Sequence, residues 1–398
     1  HPLSPSGVGT QTKYMIEGLL KTGNYQVISL GGAIKHENYQ PMKTEEWKDD
    51  WTIFPVDGYG NPDIIRSILR NEKPDILWFM TDPRFWGWLW QMEDEIRPLV
   101  PTVYYHVWDN YPPPKYNKIA YDSNDTIVTI SKLTNSVVKA VTERAEVLHL
   151  PHAVDAQIFK KLDDADVAVF RQQSFDNKEK NSNRMIFFWN NRNARRKQSG
   201  TLIYWFKEFL DSVGHDNACL IMHTDPKDQH GQDLEAIIHE LGLADGQVLL
   251  SREKIPAQGL SLLYNMADCT INISDAEGFG LSTLESLACE TPIIVNMTGG
   301  LQEQVTDGEE WFGIGIEPCS RSIIGSQEIP YIYEDRLNKE QFLDAMETFY
   351  NKSTEERATM GQKGREHAAK NYNFETYQAE WARILSDIHE KHGSWDTR

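Results

Sequence analysis

Short apolar runs alternate with helix-like segments along most of this 398-residue chain, and this alternation limits the folds open to it. Nine runs are rich in β-branched and aromatic residues: 26–30, 75–80, 102–106, 126–130, 185–189, 219–223, 247–250, 269–273 and 292–295. Continuous apolar runs of this length are typical of strands buried on both faces of a parallel sheet. Because helical patterns separate the runs, we predict an α/β architecture with parallel sheets covered by helices.

A polar segment divides the series of runs into two halves. Residues 160–184 carry many charged and amide side chains, so we predict a linker or an excursion between the two halves there. The two predicted domains are then residues 1–165 and 184–370. A last segment, 374–398, begins with an amphipathic helical pattern, and we predict that it packs back on the first domain.

The charge of the chain excludes some partners. Lys and Arg number 40 and Asp and Glu number 59, so the formal net charge is −19. Such a surface repels nucleic acid and anionic membranes, so we predict no nonspecific binding to either. No apolar run approaches the ~18 residues of a membrane span, so we predict no integral membrane segment. The four cysteines form no C-x-x-C pair, which favours a reducing, cytoplasmic compartment.

The densest candidate site is the segment DAEGFGLSTLESLACE at 275–290. Its glycines, Gly278 and Gly280, allow a ligand to approach the backbone closely. A helix is predicted from Leu281 onward, and the N–H groups of its first turn favour an anion. The carboxylates of Glu277 and Glu285 are suited to the paired hydroxyls of a ribose or a sugar. An alternative that we leave open is a capping box over 282–285, in which Glu285 only caps the helix.

A second candidate is the basic segment WNNRNARRKQ at 189–198, which directly follows an apolar run. Four cations lie close together in an otherwise acidic chain: Arg192, Arg195, Arg196 and Lys197. Fixed cations at the end of a strand predict a diphosphate clamp. A solvated basic loop is the alternative, and the position at the strand end favours the clamp.

Two further segments give weaker signals. Gly7 and Gly9 form a G-x-G pattern before a helix predicted from Gln11, and from this segment alone a plain turn capped by Thr10 is the better interpretation. No strand precedes them, and we expect residues before His1 to be absent from this chain. The segment 102–112 places His106 and aromatic side chains just past a strand, which is typical of a sugar-binding cleft, although a lone histidine is more often structural.

Taken together, these motifs resemble those of retaining glycosyltransferases of family 4, which have the GT-B fold. The E-x7-E signature of that family is matched by Glu277, the run Gly278, Phe279, Gly280 and Leu281, and then Glu285. The Arg-x4-Lys motif of the family is matched by Arg192 and Lys197. The resemblance implies an α/β GT-B fold, with two Rossmann-like α/β/α domains facing across a cleft. Residues 1–165 would form the acceptor-side domain and 184–370 the nucleotide-sugar-binding domain.

The resemblance also implies a role for each matched residue. The residues implied to be catalytic are His106, Arg192, Lys197 and Glu277. The residues implied to bind the donor are Gly7, Gly9, Arg192, Lys197, Lys254, Glu277, Gly278, Phe279, Gly280, Leu281, Ser282 and Glu285. Within this set, Glu285 would hold the ribose and the cations would neutralise the diphosphate. The weaker acceptor candidates are Tyr105, Trp108 and Asp109.

The expected activity is transfer of a hexose from a nucleoside diphosphate sugar to a glycan or another hydroxyl acceptor, with retention of configuration and without a metal. The donor is expected to be a GDP- or UDP-hexose, and no other cofactor is expected. Polysaccharide biosynthesis is the expected context. Two alternatives stay open: a sugar-nucleotide epimerase with a GT-B-like fold, and a non-catalytic sugar-nucleotide binding protein. The oligomeric state, a homo-oligomer included, is left open.

Overall fold

A computed structural model describes residues 1–175 and 183–398, which form two compact units. The first unit comprises His1–Ala153, Gly325–Ile332 and Phe374–Arg398, and the second comprises Val154–Ile324 and Tyr333–Asn373. The chain therefore passes from one unit to the other at residue 153, earlier than the boundary at 165 that the polar segment predicts. Within the described residues, no helix is long and apolar enough to cross a membrane.

The first unit contains two sheets. Its strands are β1 Val27–Gly31, β2 Met42–Lys43, β3 Trp51–Pro55, β4 Leu77–Thr81, β5 Thr102–His106, β6 Thr126–Thr129 and β7 Glu146–His149. Strand β3 pairs in parallel with β1 and antiparallel with β2, while β4, β5, β6 and β7 form a parallel sheet in sequence order. Every residue of β5 and β6 is buried, as expected for central strands that helices cover on both faces.

The helices of the first unit include short ones near the strand ends. They are Gly7–Lys21, Pro62–Glu72, Gly87–Trp90, Glu93–Ile96, Lys118–Asp122, Lys132–Lys139 and Phe374–His392. The last of these belongs to the first unit although it lies at the end of the chain. The Tyr377 hydroxyl on it donates to the backbone oxygen of Gln11 at 3.0 Å, and Trp381 is fully buried.

The second unit is built on one parallel sheet of six strands. Its strands are β8 Met185–Asn190, β9 Ala218–His223, β10 Val248–Ser251, β11 Cys269–Asn272, β12 Ile293–Asn296, β13 Gly313–Ile316, β14 Ser320–Ile324 and β15 Ile332–Arg336. The six-stranded sheet has the order β10-β9-β8-β11-β12-β13, and β14 and β15 form a separate pair. The helices are Asp164–Ser174, Ser199–Val213, Leu234–Glu240, Ala257–Met266, Leu281–Ala288, Leu301–Val305, Lys339–Tyr350 and Thr354–Asn371.

All nine apolar runs form strands, with ends within two residues of the predicted ones. Among the strands that the sequence did not reveal, β3 (WTIFP) is as long and as apolar as the predicted ones, and the others are short or carry few apolar residues. In β13 (GIGI) Gly313 is required, because a Cβ there would lie 1.7 Å from the backbone oxygen of Ile293 on β12. Strand β7 lies at the edge of its sheet and buries none of its four residues fully.

The segment 160–184, predicted to be a linker or an excursion, contains a helix. Asp164–Ser174 is an α-helix, and the Asp163 side chain caps it by accepting from the backbone N–H of Ala165 at 2.9 Å. None of the helix residues is buried, so its sequence lacks the apolar stripe that identifies most helices. Residues 176–182 of the predicted linker lie outside the described residues.

The N-terminal helix begins earlier than predicted. It spans Gly7–Lys21, and its cap is Ser6, whose hydroxyl accepts from the Gly9 N–H at 3.1 Å. The expected start at Gln11 with Thr10 as the cap is therefore wrong. Gly9 is required by crowding, since a Cβ there would lie 2.5 Å from the backbone oxygen of Ser4.

Candidate functional site at the strand-order reversal of the second unit

The six-stranded sheet of the second unit reverses its strand order between β8 and β11. From β8 the chain adds β9 and β10 on one side, and then β11, β12 and β13 on the other. At such a reversal the connections that leave the two central strands diverge, and the crevice outside their carboxyl ends is where open α/β sheets bind ligands. The basic segment follows β8 and the glycine-rich turn follows β11, so both predicted motifs lie at this position.

Lys197 joins the two motifs across 80 positions of sequence. Its ammonium group donates to the carboxylate of Glu277, and the two side chains are 10% and 12% exposed. Arg196 supports the same contact, because its Nη1 donates to the Ala276 backbone oxygen at 2.6 Å and lies 3.9 Å from the Glu277 carboxylate. Burial raises the pKa of Glu277, but the two cations outweigh it and hold that pKa below its usual range.

The helix after the turn, Leu281–Ala288, has an N-terminus suited to binding an anion. Gly280 is its N-cap with φ +88°, and a Cβ there would lie 2.6 Å from the Leu301 side chain. No side chain in the described part of the chain caps this end, so the N–H groups of the first turn are available to a ligand. Leu281 and Ser282 in that turn are half-buried. The capping-box alternative over 282–285 is wrong, because the helix begins one residue before Ser282.

Glu285 points into the unit from this helix and has a fixed partner. The Tyr264 hydroxyl donates to its Oε2 at 2.7 Å and in turn accepts from Asn190 Nδ2 at 2.9 Å. Burial raises the pKa of Glu285 to about 7, and the hydrogen bond from Tyr264 limits the increase. The carboxyl group is therefore held in one orientation and titrates near neutral pH.

The structure does not bring Arg192 to the Lys197–Glu277 contact. Its exposed guanidinium pairs with Asp228, with Nε 2.7 Å from Oδ2, and its Nη2 lies 2.7 Å from Nδ1 of His230. Lys254, in the loop after β10, is also exposed. In the glycine-rich turn, Gly278 and Phe279 are buried. The Phe279 backbone oxygen accepts from Gln304 Nε2 at 2.8 Å.

In the first unit, His106 ends β5 as expected, but it is fully buried. The Tyr104 hydroxyl donates to the Thr81 backbone oxygen at 2.6 Å, so it accepts from His106 Nδ1 at 2.9 Å. Nε2 then accepts from the Tyr121 hydroxyl at 2.7 Å. Burial lowers the pKa of His106 to about 3, so the ring is neutral. The expected contact with a sugar is not available to this side chain, because both of its nitrogens are already bonded.

The weaker acceptor candidates are also mostly enclosed. Tyr105 is fully buried, and its hydroxyl donates to the Leu150 backbone oxygen at 3.0 Å, so it does not line a cleft as expected. Trp108 is 5% exposed, and its indole N–H donates to the Asn110 backbone oxygen at 2.9 Å. Asp109 is half-buried. In the first turn of the N-terminal helix, Gly7 is exposed and Gly9 is buried.

Sequence reasoning missed several residues that shape the site. They are Asn190, Gln198, Tyr264, Asp275, Glu334 and Arg336. Asn190, Gln198 and Asp275 lie inside the two segments that the sequence singles out, and their position at or just past strand ends was the available signal. Glu334 lies almost 60 residues beyond the turn on a strand that no apolar run marks, so no sequence signal identifies it.

Comparison with known proteins adds the following findings. Residues 170–367 match the family of glycosyl transferases group 1. Sucrose-phosphate synthase from Thermosynechococcus elongatus has a TM-score of 0.74 at 15% identity, covering 96% of this chain and 94% of that one. The UDP-forming trehalose-phosphate synthase of Burkholderia xenovorans has a TM-score of 0.69 at 12% identity, covering 96% and 97%. The fold is GT-B.

Curated relatives of this GT-B chain are similar over shorter stretches. D-inositol 3-phosphate glycosyltransferase from Acidothermus cellulolyticus is 41% identical over 76 residues, which are 19% of this chain and 16% of that protein. GDP-mannose-dependent alpha-(1-6)-phosphatidylinositol monomannoside mannosyltransferase from Mycolicibacterium smegmatis is 28% identical over 193 residues, or 46% and 47%. The chain thus spans less than half the length of either relative.

Proposed function

We propose that this protein is a retaining glycosyltransferase of family 4 that moves a hexose from a nucleoside diphosphate sugar to a glycan or another hydroxyl acceptor. The observation that carries the proposal is the meeting of the basic segment and the glycine-rich turn at the strand-order reversal, through Lys197 and Glu277. The match of residues 170–367 to glycosyl transferases group 1 covers the same part of the chain.

The chemistry of the site follows from where charge develops. Breaking the bond between the sugar and the diphosphate leaves negative charge on the leaving phosphate and positive charge on the sugar. Arg192 and Lys197, with the N–H groups at the start of Leu281–Ala288, supply positive potential for the diphosphate. This role requires Arg192 to leave Asp228 and Lys197 to exchange part of its contact with Glu277 for phosphate oxygens. Glu277 is then available to accept from sugar hydroxyls.

Glu285 is proposed to accept hydrogen bonds from the ribose hydroxyls of the donor. Its carboxyl group is fixed by Tyr264, so the side chain loses little conformational entropy when a ligand binds. No metal is required in this proposal, because Arg196 and Lys197 supply positive charge at the turn and Arg192 adds a third cation when it leaves Asp228. We propose retention of configuration through attack on the same face that the leaving phosphate departs from, with that phosphate accepting the acceptor's proton.

The donor is proposed to be a GDP- or UDP-hexose. The relative from Mycolicibacterium smegmatis is named as GDP-mannose-dependent, and HepE from Anabaena, with a TM-score of 0.64 at 16% identity over 84% of this chain and 86% of that one, was solved in complex with UDP-glucose. These names support both nucleotides equally. We propose a reducing, cytoplasmic compartment, which the buried unpaired thiols Cys219, Cys269 and Cys289 support.

The first experiment measures thermal unfolding with UDP, GDP, ADP, TDP and their hexoses, each without added metal. A ligand that binds only the folded state at 100 times its Kd stabilises it by about 2.7 kcal/mol, so a selective increase in Tm identifies the donor nucleotide. Donor consumption is then measured with and without a mixture of sugar acceptors. Transfer that needs an acceptor supports the proposal, an epimerised donor indicates the isomerase alternative, and binding without turnover indicates the binding protein.

Arg192→Ala is expected to lower kcat/KM for the donor by 100-fold or more, since a cation on a developing oxyanion is worth roughly 10²–10³ in rate. The matched control is Arg66→Ala, which removes an exposed arginine that also makes a two-pronged contact, here with Glu95 in the first unit at 2.8 Å. Near-normal activity of the Arg192 variant would contradict the diphosphate assignment. The anomeric configuration of the product, determined by NMR, tests retention, and activity in EDTA tests metal independence.

A further inference from the structure

Glu334 is a nearly inaccessible carboxylate that binds two arginines from different parts of the second unit. It lies on β15 and its side chain is 1% exposed. Arg195 of the basic segment donates to it with both terminal nitrogens, at 2.6 Å and 3.1 Å. Arg336, two residues along the same strand face, donates to it with Nη2 at 2.6 Å.

The contacts continue from Arg336 to the turn after β11. Arg336 Nη1 lies 3.0 Å from the carboxylate of Asp275, two residues before Glu277. Gln198 Nε2 donates to the same Asp275 oxygen at 2.6 Å. The Asp275 N–H donates to the Arg196 backbone oxygen at 2.9 Å. We call Arg195, Glu334, Arg336, Asp275 and Gln198 the β15 brace.

The β15 brace encloses the two residues that join the motifs. Arg195 and Gln198 flank Lys197 in the chain, and Asp275 lies just before Glu277. The backbone also participates, because the Asp335 N–H donates to the Asp275 backbone oxygen at 2.8 Å. A displacement of Glu334 would therefore move both ends of the Lys197–Glu277 contact.

The number of partners argues against a role in stability alone. A buried ion pair gives little net stability, because the cost of removing the charges from water offsets their attraction. Its charge-assisted, two-pronged hydrogen bonds do fix geometry, since an arginine fork and a carboxylate match in one orientation. The linked side chains of Glu334, Arg336 and Asp275 thus connect β15 to the turn and set the position of the turn's backbone.

We propose that Glu334 is a positioning residue for donor turnover, which acts through Arg195 and through Arg336 and Asp275 to hold Lys197 and Glu277 in register. This inference rests on the proposed function. Its consequence is that the pair of strands β14 and β15, which lies outside the six-stranded sheet, is part of the donor site's framework.

The test compares Glu334→Gln with Glu95→Gln in the full chain. Both variants remove the charge of a carboxylate that receives a two-pronged arginine, but Glu95 lies in the first unit. We measure kcat and KM for the donor per folded molecule, the Kd of the nucleoside diphosphate by calorimetry, and the midpoint of chemical unfolding. Glu334→Gln is expected to lose at least 10-fold in kcat/KM and about 3-fold in nucleotide affinity, while Glu95→Gln stays within 2-fold of wild type in both.

Arg195→Lys is the second variant, because it keeps the charge, removes the two-pronged contact and changes a side chain that is 60% exposed. It is expected to lose about 3-fold in kcat/KM even if Glu334→Gln does not fold. Values of kcat and KM within 2-fold of wild type in the folded Glu334→Gln or Arg195→Lys protein would overturn the positioning role and leave the proposed function intact. A wild type that neither binds a nucleoside diphosphate nor consumes a nucleotide sugar would instead overturn the proposed function and this inference with it.

Discussion

Strands β5 and β11 are both interior strands of parallel sheets, yet their carboxyl ends offer a ligand very different surfaces. His106 at the end of β5 is fully buried between two tyrosine hydroxyls, and its neutral ring has no unbonded nitrogen. Glu277, just past β11, is 12% exposed, charged and bound to a lysine from the loop after the neighbouring strand. The end of β5 is packed core, and the end of β11 holds a charged pair whose contacts a charged ligand can replace.

Strand order explains the difference. Strand β5 lies in a sheet whose strands follow in sequence, β4-β5-β6-β7, so the connections that leave neighbouring strands do not diverge at its end. Strand β11 lies beside β8, where the order reverses and the connections leave in opposite directions. A polar residue after a buried strand is therefore not sufficient evidence for a site. The reversal, together with a partner of opposite charge on the adjacent strand, separates the two cases.

The largest expected effect comes from Lys197→Ala, which removes the partner of the Glu277 carboxylate. Removing the closer of the two cations beside this buried carboxylate costs about 3 kcal/mol of unfolding free energy, and loss of the cation from the diphosphate lowers kcat/KM by roughly 100- to 1000-fold. Urea unfolding and donor kinetics check the two parts. The double variant Lys197→Ala with Glu277→Gln is expected to regain stability, because no unpaired charge remains, but not activity.

Lys363→Ala is the matched control for this prediction. Lys363 also pairs with a carboxylate of the second unit, Glu310 at 2.8 Å, but both side chains are exposed. Its loss is expected to change stability little and activity not at all. If Lys197→Ala were as mild as this control, the charged pair after β11 would be an ordinary surface contact and the contrast with β5 would disappear.

The sheets could be predicted from the sequence because burial on both faces leaves a plain signal. Runs such as 102–106 and 185–189 are apolar throughout, and they form β5 and β8. The helix Asp164–Ser174 could not, since it buries none of its residues and its capping aspartates look like part of a polar linker. Strand β15 (IYEDR) is equally hidden, because its Glu334, Asp335 and Arg336 pair with other charged side chains rather than packing on an apolar layer.

The site was predictable only where chemistry is concentrated in one segment. Lys197 and Glu277 each lie in a dense motif, and the structure joins them. The burial of His106 was not predictable, because it depends on a hydrogen bond with the Tyr121 hydroxyl. Tyr121 lies 15 positions away, in a helix whose sequence does not indicate that it packs on β5. The contact of Arg192 with Asp228 spans 36 positions and was equally invisible.

The second prediction tests whether His106 belongs to the core. Replacing it with alanine leaves the Tyr121 hydroxyl without an acceptor, and we expect a loss of about 2 kcal/mol in unfolding free energy. Activity per folded molecule is expected to stay within 3-fold of wild type. The more conservative His106→Gln keeps one donor and one acceptor and serves if the alanine variant does not fold. A 100-fold loss in kcat in either folded variant would contradict the core assignment.

Acid sensitivity gives His106 an independent readout. Its pKa falls from 6.5 in the unfolded chain to about 3 in the folded one because of burial. The unfolded chain therefore binds the extra proton first, so this contribution to stability is present above pH 6.5 and is lost as the pH falls toward 3. The free energy of unfolding, measured by urea at several pH values, is expected to depend less on pH in His106→Gln than in wild type.

The smallest expected effect is that of Tyr264→Phe, which removes one hydroxyl beside Glu285. That hydroxyl donates to the carboxyl group and lowers its pKa, which burial raises to about 7. Without it the pKa of Glu285 rises further, and less of the carboxylate is ionised at neutral pH to accept from a ribose. We expect the Kd of the nucleoside diphosphate to increase by about 5-fold at pH 7, the equivalent of one hydrogen bond of about 1 kcal/mol.

The pH dependence of this loss distinguishes an effect on Glu285 from a general loosening of the unit. Since deprotonation restores the acceptor, the affinity defect of Tyr264→Phe is expected to shrink between pH 6.5 and 8.5. Tyr377→Phe is the matched control, because it removes a buried hydroxyl of the first unit that donates to the Gln11 backbone oxygen. A defect that stays constant with pH, or one that the control shares, would mean that Glu285 does not bind the donor as a carboxylate. The site beside β11 would then depend on its cations alone.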